Sequence, residues 1–293
     1  MGAIGLLSRG IKFARPILDV VQTADALTEE GGEIDVLPGD PQAARRLREL
    51  LGTPAPTPDE DALAVFPVTP GTDLGTGRAA LARRRRSGGG ALAVLIGRRS
   101  EREALERELL EGYHLEPSNI AHVASLEGPG ERAAIDAVLA ALTDDMVAAG
   151  RRNPGLRPAV GKRLVSAASR QAGAIGALPL AGADMPVLAL LQVRMISQLA
   201  ALHDRPFGAE RAMEAAAVLA AGFGWRAVGR TAVGFVPVAG WAVQGGVAYA
   251  STRAMGEAAL ARLAAGHDLI EGTPVDAVKP QLERVLGRLR GGS

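Results

Sequence analysis

Residues 62–96 read ALAVFPVTPGTDLGTGRAALARRRRSGGGALAVLI, and this stretch decides the fold class. Its two ends, 62–68 and 91–96, are short apolar runs of the kind that form buried strands. Between them, 73–86 has the composition of a helix and is followed by the loop sequence SGGG. A strand, a helix and a second strand in this order predict a βαβ unit with parallel strands.

The same alternation continues toward the C-terminus. The run IAHVASL at 120–126 predicts a third strand, and helices are predicted at 101–111 and 131–149. Ser100 and Glu103 have the spacing of a capping box at the start of the first of these helices. The sequence therefore predicts a small three-stranded parallel sheet covered by helices, within an α/β domain at 62–152.

The segments before this domain carry different signals. Residues 1–28 have apolar side chains at helical spacing and three positive charges, which predict a basic amphipathic helix kinked at Pro16. This helix either packs on its own protein or docks on a membrane surface or a partner. Residues 29–61 are rich in Gly, Pro and Asp, and we expect a linker that carries one short helix at 41–51.

Beyond residue 153 the sequence predicts helices alone. Together with the α/β domain, this makes an α/β plus all-α fold with an Ala- and Gly-rich helical domain at 153–266. Asp184 is the expected N-cap of its second helix, with Pro186 in the first turn. Residues 267–293 contain two prolines and a short helix, and we expect a peripheral tail. The helices of the domain are predicted at 159–172, 185–203, 209–221, 225–236 and 241–265.

Composition excludes several classes of protein. The 293 residues are 47% hydrophobic and 22% charged with a net charge of +1, which describes a globular chain and excludes extended disorder. The chain has no Cys and four scattered His, so thiol chemistry is excluded and no metal site is expected. The near-zero net charge argues against nucleic-acid binding. Charges interrupt the apolar residues near Met1, so no secretory signal is predicted and we expect a cytoplasmic chain.

No residue pattern typical of an enzyme is found. Ser166, Ser169 and Arg170 lie on a predicted helix without a nucleophile turn, and Asp144 with Asp145 point to different faces of a helix. The run Arg83–Arg86 is expected to be a solvated helix end. We therefore expect no catalytic residue, no cofactor and no metal, and we do not expect nucleic acid as a partner.

Residues 231–252 form a run without charge that has the length of a membrane span. Pro237 and Gly240 break it near its middle, which predicts a hairpin with a turn at these residues. Each arm is too short to cross a bilayer, since about 12 residues of helix reach only ~18 Å. Two alternatives remain: the hairpin is buried in the helical domain, or it inserts shallowly into a membrane with arginines at the interface.

Several polar residues lie on or beside otherwise apolar helices. In one interpretation these residues fix the register of the helices. In the other they hold a partner or a lipid phosphate at the mouth of the hairpin. Asp184 or Glu214 could pair with the arginines. The candidate residues are Asp184, Gln192, Arg211, Arg226, Arg230 and Arg253.

Two blocks of this region resemble a known family. The first is ADMPVLALLQVRMISQLAAL, with Asp184, Pro186, Gln192 and Met195, and the second is RAVGRTAVGFVPVAGWAVQGGVAYASTRAMGEAA. They resemble the GTPase-associated helical family catalogued as domain of unknown function 697, which is related to the YcjF-type proteins. The resemblance covers residues 160–265 and implies a bacterial protein of an Era-like GTPase neighbourhood, often membrane-associated. The matching residues of the second block are Pro237, Gly240, Thr252 and Gly256.

A second resemblance concerns the α/β domain. VLIGRRSEREAL is similar to the strand and NKxD loop of an Era-like GTPase, with Gly97, Arg98, Arg99 and Ser100 at the four loop positions. Ser100 therefore replaces the Asp that would read guanine. No G-x-x-x-x-G-K-[ST] sequence occurs in the chain. The resemblance implies a degenerate G-domain remnant without a phosphate-binding loop, and an unrelated small α/β domain is the alternative.

The sequence thus leads to one main hypothesis and two alternatives. We expect a non-enzymatic interaction or scaffold protein whose partner is a GTPase, another protein or the inner face of the cell membrane. The first alternative is a regulator that retains weak guanine-nucleotide binding. The second is a soluble homo-oligomeric scaffold.

Overall fold

The computed structural model describes residues 31–53, 62–87, 90–113, 115–142, 146–178, 184–205 and 240–267. The chain divides into two compact units, with the boundary between Lys162 and Arg163. Each unit is described by itself.

The first unit contains a parallel sheet of four strands. These are β1 (Ile34–Val36), β2 (Leu63–Val68), β3 (Ala91–Ile96) and β4 (Ile120–Val123), and they lie in the sheet in their chain order. Ile34 is opposite Leu63, Ala64 opposite Ala91, and Ala93 opposite Ile120. The mixed α/β class and the three predicted strands are confirmed, but the predicted number of strands is wrong because β1 adds a fourth.

The helices of this unit alternate with the strands. The helix predicted over 131–149 is two helices, because Leu142 adopts an extended conformation with φ −83° and ψ 108° and so ends the first one. The predictions for the other helices agree with the structure to within about two residues. The helices are α1 (Pro41–Leu51), α2 (Leu74–Ser87), α3 (Arg99–Tyr113), α4 (Pro129–Ala141) and α5 (Met146–Arg152).

Helices cover both faces of the sheet. On one face, Phe66 and Leu95 pack with Leu81 of α2 and Leu109 of α3. On the other face, α1 and α4 contact each other and the central strands. Every residue of β2 and β3 is buried, as expected for central strands of a parallel sheet with two covered faces.

The segment predicted as a linker, 29–61, is part of this unit where it is described. β1 pairs with β2, and Leu47 and Leu51 of α1 are fully buried. Asp35 of β1 also forms an ion pair with Arg84 of α2, whose guanidinium nitrogen lies 3.1 Å from the carboxylate. Residues 34–51 therefore form the edge strand and a packed helix of the α/β unit, which corrects the linker prediction.

The chain after α5 returns to the first strand. The side-chain Nδ2 of Asn153 donates to the carbonyl oxygens of Ala149, at 2.8 Å, and Gly32, at 3.3 Å. A Cβ at Gly32, which has φ +79°, would overlap the backbone of Ala148 and Ala149. This contact closes the unit at the β1 edge.

The described part of the second unit is helical. Its helices are α6 (Arg157–Gly176, of which the part from Arg163 belongs here), α7 (Asp184–Leu202) and α8 (Gly240–Ala264). The predictions for these three helices are confirmed to within about four residues at each end. The predictions over 1–28, 209–221 and 225–236, and nearly all of the tail at 267–293, lie outside the described residues. Among the described helices, none is long and apolar enough to cross a membrane.

Contacts along α8 define the directions of its neighbours. Gly245 and Gly256 of α8 approach Gly173 and Val165 of α6, in reverse order, so α6 and α8 are antiparallel. Gln192 of α7 contacts Thr252 of α8, and Met195 lies against Gly256, in the same order. Helices α7 and α8 are therefore parallel, and both begin at the end of the bundle where α6 finishes.

Candidate functional site

A buried polar contact joins α7 to α8. The side-chain nitrogen of Gln192 donates to Thr252 Oγ1 over 3.0 Å, and the two residues are 3% and 0% exposed. A buried amide without such a partner would cost roughly 1–3 kcal/mol of stability. Gln192 Oε1 has no hydrogen-bond partner within the described part of the chain. The prediction that Gln192 lies on an apolar helix is confirmed, and its partner is the Thr252 of the second sequence block.

One turn further along, Gly256 brings the three helices together. A Cβ at this position would lie 2.7 and 2.8 Å from the two methyl carbons of Val165 and 3.0 Å from the sulfur of Met195. Real Cβ atoms do not approach so closely, so α8 passes its neighbours at this level because residue 256 has no side chain. Met195 and Gly256 of the two sequence blocks thus meet in the core of the helical unit.

Helices α6 and α8 cross at a second glycine contact. A Cβ at Gly245 would lie 2.8 Å from the carbonyl oxygen of Gly173 and 3.0 Å from the Cβ of Ala177. A Cβ at Gly176 would lie 2.7 Å from the Cβ of Ala248. Small residues at helix crossings allow the backbones to approach closely, a form of packing that is common where apolar helices associate in lipid.

The uncharged run is a regular helix over its described half. Helix α8 begins at Gly240, the residue predicted for the hairpin turn, and continues beyond the run to Ala264. Val243 is 62% exposed and Val247 is 53% exposed, whereas Gly245 and Thr252 are buried. The side chains of 243–252 are therefore mostly exposed or partly exposed, and the first arm of the predicted hairpin lies outside the described residues.

Arg253 follows the run on the surface of α8. Its guanidinium donates to Tyr249 Oη over 3.0 Å and to Glu257 Oε1 over 2.8 Å. The hydrogen bond to Tyr249, and then the one to Glu257, raises the pKa of Arg253 above that of an ordinary arginine. Arg253 is therefore an exposed cation with two side-chain partners on its own helix, and it remains charged at any physiological pH.

The other candidates from the sequence are less completely placed. α7 begins at Asp184, as predicted, but the structure describes only the backbone there. The structure therefore brings together Gln192 and Thr252 but tests no pairing of Asp184. Four candidates lie outside the described residues: Arg211, Arg226, Arg230 and Pro237.

In the α/β unit, α1 and α2 follow adjacent strands but lie on opposite faces of the sheet. Open parallel sheets usually bind ligands at the carboxyl ends of two such strands, which here are β1 and β2. The loop after β1 lies directly on β2. Leu37 N–H donates to the carbonyl oxygen of Val65 over 2.9 Å, and a Cβ at Gly39 would overlap the carbonyl oxygen of Pro67. The loop therefore packs directly against β2 at this edge of the sheet.

The helix N-termini at this edge also carry their own carboxylates. Asp40 Oδ1 accepts from Ala43 N–H over 2.7 Å at the start of α1, and Asp73 Oδ1 accepts from Gly75 N–H over 2.9 Å at the start of α2. Glu101 Oε2 accepts from Arg98 N–H over 2.8 Å at the start of α3. Phosphate groups bind at helix N-termini through free N–H groups and the positive end of the helix dipole. Here each of the three helix starts has a carboxylate that accepts one of these N–H groups.

The structure changes the interpretation of the loop at Gly97–Ser100. Gly97 has φ +144°, and Ser100 is an exposed residue in the first turn of α3. The expected capping box of Ser100 and Glu103 is wrong, because Arg98 occupies the capping position and Glu101 supplies the carboxylate. Glu103 instead accepts from the side chain of Arg99 over 2.9 Å.

The remaining polar candidates have structural partners. Arg84 is 7% exposed and paired with Asp35, so the prediction of a solvated arginine run is wrong for this residue. Ser169 donates to the carbonyl oxygen of Val165 over 2.7 Å, and Arg170 donates to Ser166 Oγ over 3.3 Å. Among the described residues, no group of three or more His, Asp or Glu side chains could hold a metal ion.

Fold and site together define a protein with a parallel α/β unit, whose helices begin at capping carboxylates, and a helical unit packed through glycines. Within it, residues 155–289 match the family model described as a domain of unknown function, DUF697. The predicted resemblance to this family is confirmed over these residues, which include α6, α7, α8 and the contact between Gln192 and Thr252. No curated protein and no solved structure matches the chain.

Proposed function

We propose that this chain is a non-enzymatic interaction or scaffold protein, which associates with a membrane surface or with a GTPase through its DUF697 domain. In this proposal the α/β unit is a degenerate G-domain-like scaffold that has lost nucleotide binding. The observation that carries the proposal lies at the carboxyl edge of the sheet, where the loop at Gly39 packs against Pro67 of β2 and Asp40 caps α1.

The order of elements supports a relation to G domains. β1 is followed by a short loop and α1, in the position where a G domain has its phosphate-binding loop and first helix. The loop lacks the Lys and the Ser or Thr that would contact phosphates and magnesium. A carboxylate at Asp40 would also repel the negative charge of a phosphate at this helix end. Sequence and geometry therefore both argue against nucleotide hydrolysis.

A calorimetric titration of the full chain with GDP and with GTP, each with magnesium, tests the loss of nucleotide binding. We expect no heat of binding for either nucleotide at concentrations up to the millimolar range. A micromolar dissociation constant would overturn the proposal and would favour the alternative of a nucleotide-dependent regulator.

Flotation of the full chain with vesicles tests the membrane association. The exposed valines at the start of α8 favour a lipid surface over a buried role for this helix end. Flotation with anionic vesicles at low and at physiological salt would support the membrane form of the proposal. A folded chain that stays with the soluble fraction under both conditions would leave the GTPase form as the one to pursue.

A further inference from the structure

One end of the helical unit carries all the large apolar side chains that are exposed among the described residues of the chain. Leu178 is 51% exposed, Val187 46%, Val243 62% and Val247 53%. Leu178 follows the last turn of α6, Val187 is in the first turn of α7, and the two remaining valines are in the first two turns of α8. Because α6 is antiparallel to α8 and α7 is parallel to it, these four residues belong to the same end of the bundle. We call them the apolar end.

The helices carry almost no charge from this end inward. No Asp, Glu, Lys or Arg occurs in three stretches of these helices. The stretches are 171–178, which is the end of α6 and the two residues after it, 185–193 of α7 and 240–252 of α8. Asp184, at the first residue of α7, is the exception, and a carboxylate is favourable at a helix N-terminus. At 1.5 Å per residue the uncharged lengths correspond to about 12–20 Å. One leaflet of a bilayer has a hydrocarbon layer of about 15 Å.

The uncharged region ends at arginines on all three helices. Arg170 on α6, Arg194 on α7 and Arg253 on α8 are all exposed. The contacts of Gly173 with Tyr249 and of Gln192 with Thr252 align the three helices along the bundle. In this alignment the three arginines lie within about one to two helical turns of one another. We call them the arginine belt. Three cations at this level complement the negative charge of lipid phosphates.

We propose that the apolar end inserts into one leaflet of an anionic membrane while the arginine belt contacts the lipid headgroups. This inference deepens the proposed membrane association, on which it rests, by naming the surface and the lipid chemistry. The combination of exposed apolar side chains, an uncharged depth that matches one leaflet, and a basic boundary is the pattern of an interfacial membrane element. Insertion from one side requires no spanning helix.

The chain has no Cys, so a single introduced thiol can be labelled at a chosen position. We would label Val247→Cys, at the apolar end, with an environment-sensitive fluorophore. The matched control is Ala261→Cys, which is exposed on the same helix on the other side of the arginine belt. On addition of vesicles with anionic lipid, we expect a blue shift at 247 and quenching by a quencher on the lipid chains, with neither effect at 261.

The belt is tested in the same assay. The triple variant Arg170→Gln, Arg194→Gln, Arg253→Gln should require at least about tenfold more anionic lipid for half-binding and should bind with a weaker salt dependence. The variant Val243→Asp, Val247→Asp should lose the blue-shifted binding, whereas the control Ala258→Asp, Ala261→Asp should bind as the parent does. Circular dichroism of each variant establishes that the helices are intact.

Three results would overturn the inference, and the first two differ from a failure of the proposed function. If the full chain floats but the fluorophore at 247 stays in water, the membrane association stands and this surface is wrong. If the fluorophore at 247 is already shielded from water in the absence of lipid, and the chain self-associates through this end, then the apolar end binds a second copy of the chain. If the full chain does not bind vesicles at all, the inference and the membrane form of the proposed function fail together.

Discussion

Gln192 and Thr252, which are 60 positions apart in the chain, share a 3.0 Å hydrogen bond in the interior of the helical unit. A polar pair in an interior of Leu, Met and Ala specifies one register between two helices, because any slip along the axis separates the donor from its acceptor. The pair therefore sets the position at which the apolar start of α8 lies beside α7. The hydrogen bond supports the structural role, which is one of the two interpretations that the sequence leaves open for Gln192.

Removal of one partner of this pair should be costly. Thr252→Val keeps the shape but leaves the Gln192 amide buried without its acceptor, so we expect the free energy of unfolding to fall by about 1–3 kcal/mol. The double variant Gln192→Met, Thr252→Val removes both polar groups and should recover much of the loss. Urea unfolding followed by circular dichroism measures both. Equal losses for the single and double variants would contradict a coupled pair.

Adjacent glycines in α8 provide a matched test of the helix crossing. Gly245→Ala would bring a methyl group to 2.8 Å from the carbonyl oxygen of Gly173, so we expect a loss of about 1–3 kcal/mol in stability. Gly246 has nothing within 4 Å of a built Cβ. Gly246→Ala should therefore stabilise the helix by up to about 1 kcal/mol. Thermal unfolding midpoints that move in opposite directions for the two variants would confirm this crossing, and a shift in the same direction would speak against it.

Breaking the ion pair between Asp35 and Arg84 should cost far more stability than breaking a pair on the surface. The two side chains are 17% and 8% exposed, so Asp35→Ala leaves a largely desolvated guanidinium, and we expect a loss of about 3–5 kcal/mol. The control is Glu103→Ala, which breaks the pair with Arg99, where the side chains are 55% and 88% exposed. It should change the stability by less than about 1 kcal/mol. Denaturant titrations of both variants make the comparison, and a similar small effect of the two would contradict a large cost of breaking this pair.

The cap at Asp40 is expected to stabilise the first helix. Asp40→Ala removes the acceptor of the Ala43 amide, and the free energy of unfolding should fall by about 0.5–2 kcal/mol. Amide exchange at Ala43 should become faster than in the parent chain. Asp40→Ser retains a side-chain acceptor and should restore most of the stability and the protection. Unchanged exchange in the alanine variant would mean that another group replaces the carboxylate.

The sequence predicts those strands and helices whose apolar pattern continues over the whole element. β2 and β3 are runs of apolar residues long enough to be recognised without context, and α8 was predicted to within one residue at each end. β1 was missed because its three residues, Ile34–Val36, stand among Gly, Pro and Asp and owe their extended conformation to pairing with β2. The break after Ala141 was missed because the apolar periodicity continues through it.

The candidate site could also be predicted only in part from the sequence. Gln192 is conspicuous in the sequence as a polar residue on an apolar helix, but its partner depends on how two helices align, which no local pattern gives. The signals for Asp40 and Asp73 were present, since an Asp before a Pro or a short apolar start is typical of a helix N-cap. What the sequence could not show is that these carboxylates occupy the edge where a phosphate would bind.

The order of the strands has a consequence for biosynthesis. Because β1, β2, β3 and β4 lie in the sheet in their chain order, each strand can pair with the previous one as soon as it leaves the ribosome. The final contacts are of a different kind, since Asn153 must return to Gly32 across 121 positions of the chain. The strand order therefore permits the nascent α/β unit to form strand by strand, whereas the contact at its first edge requires the segment that leads into α6.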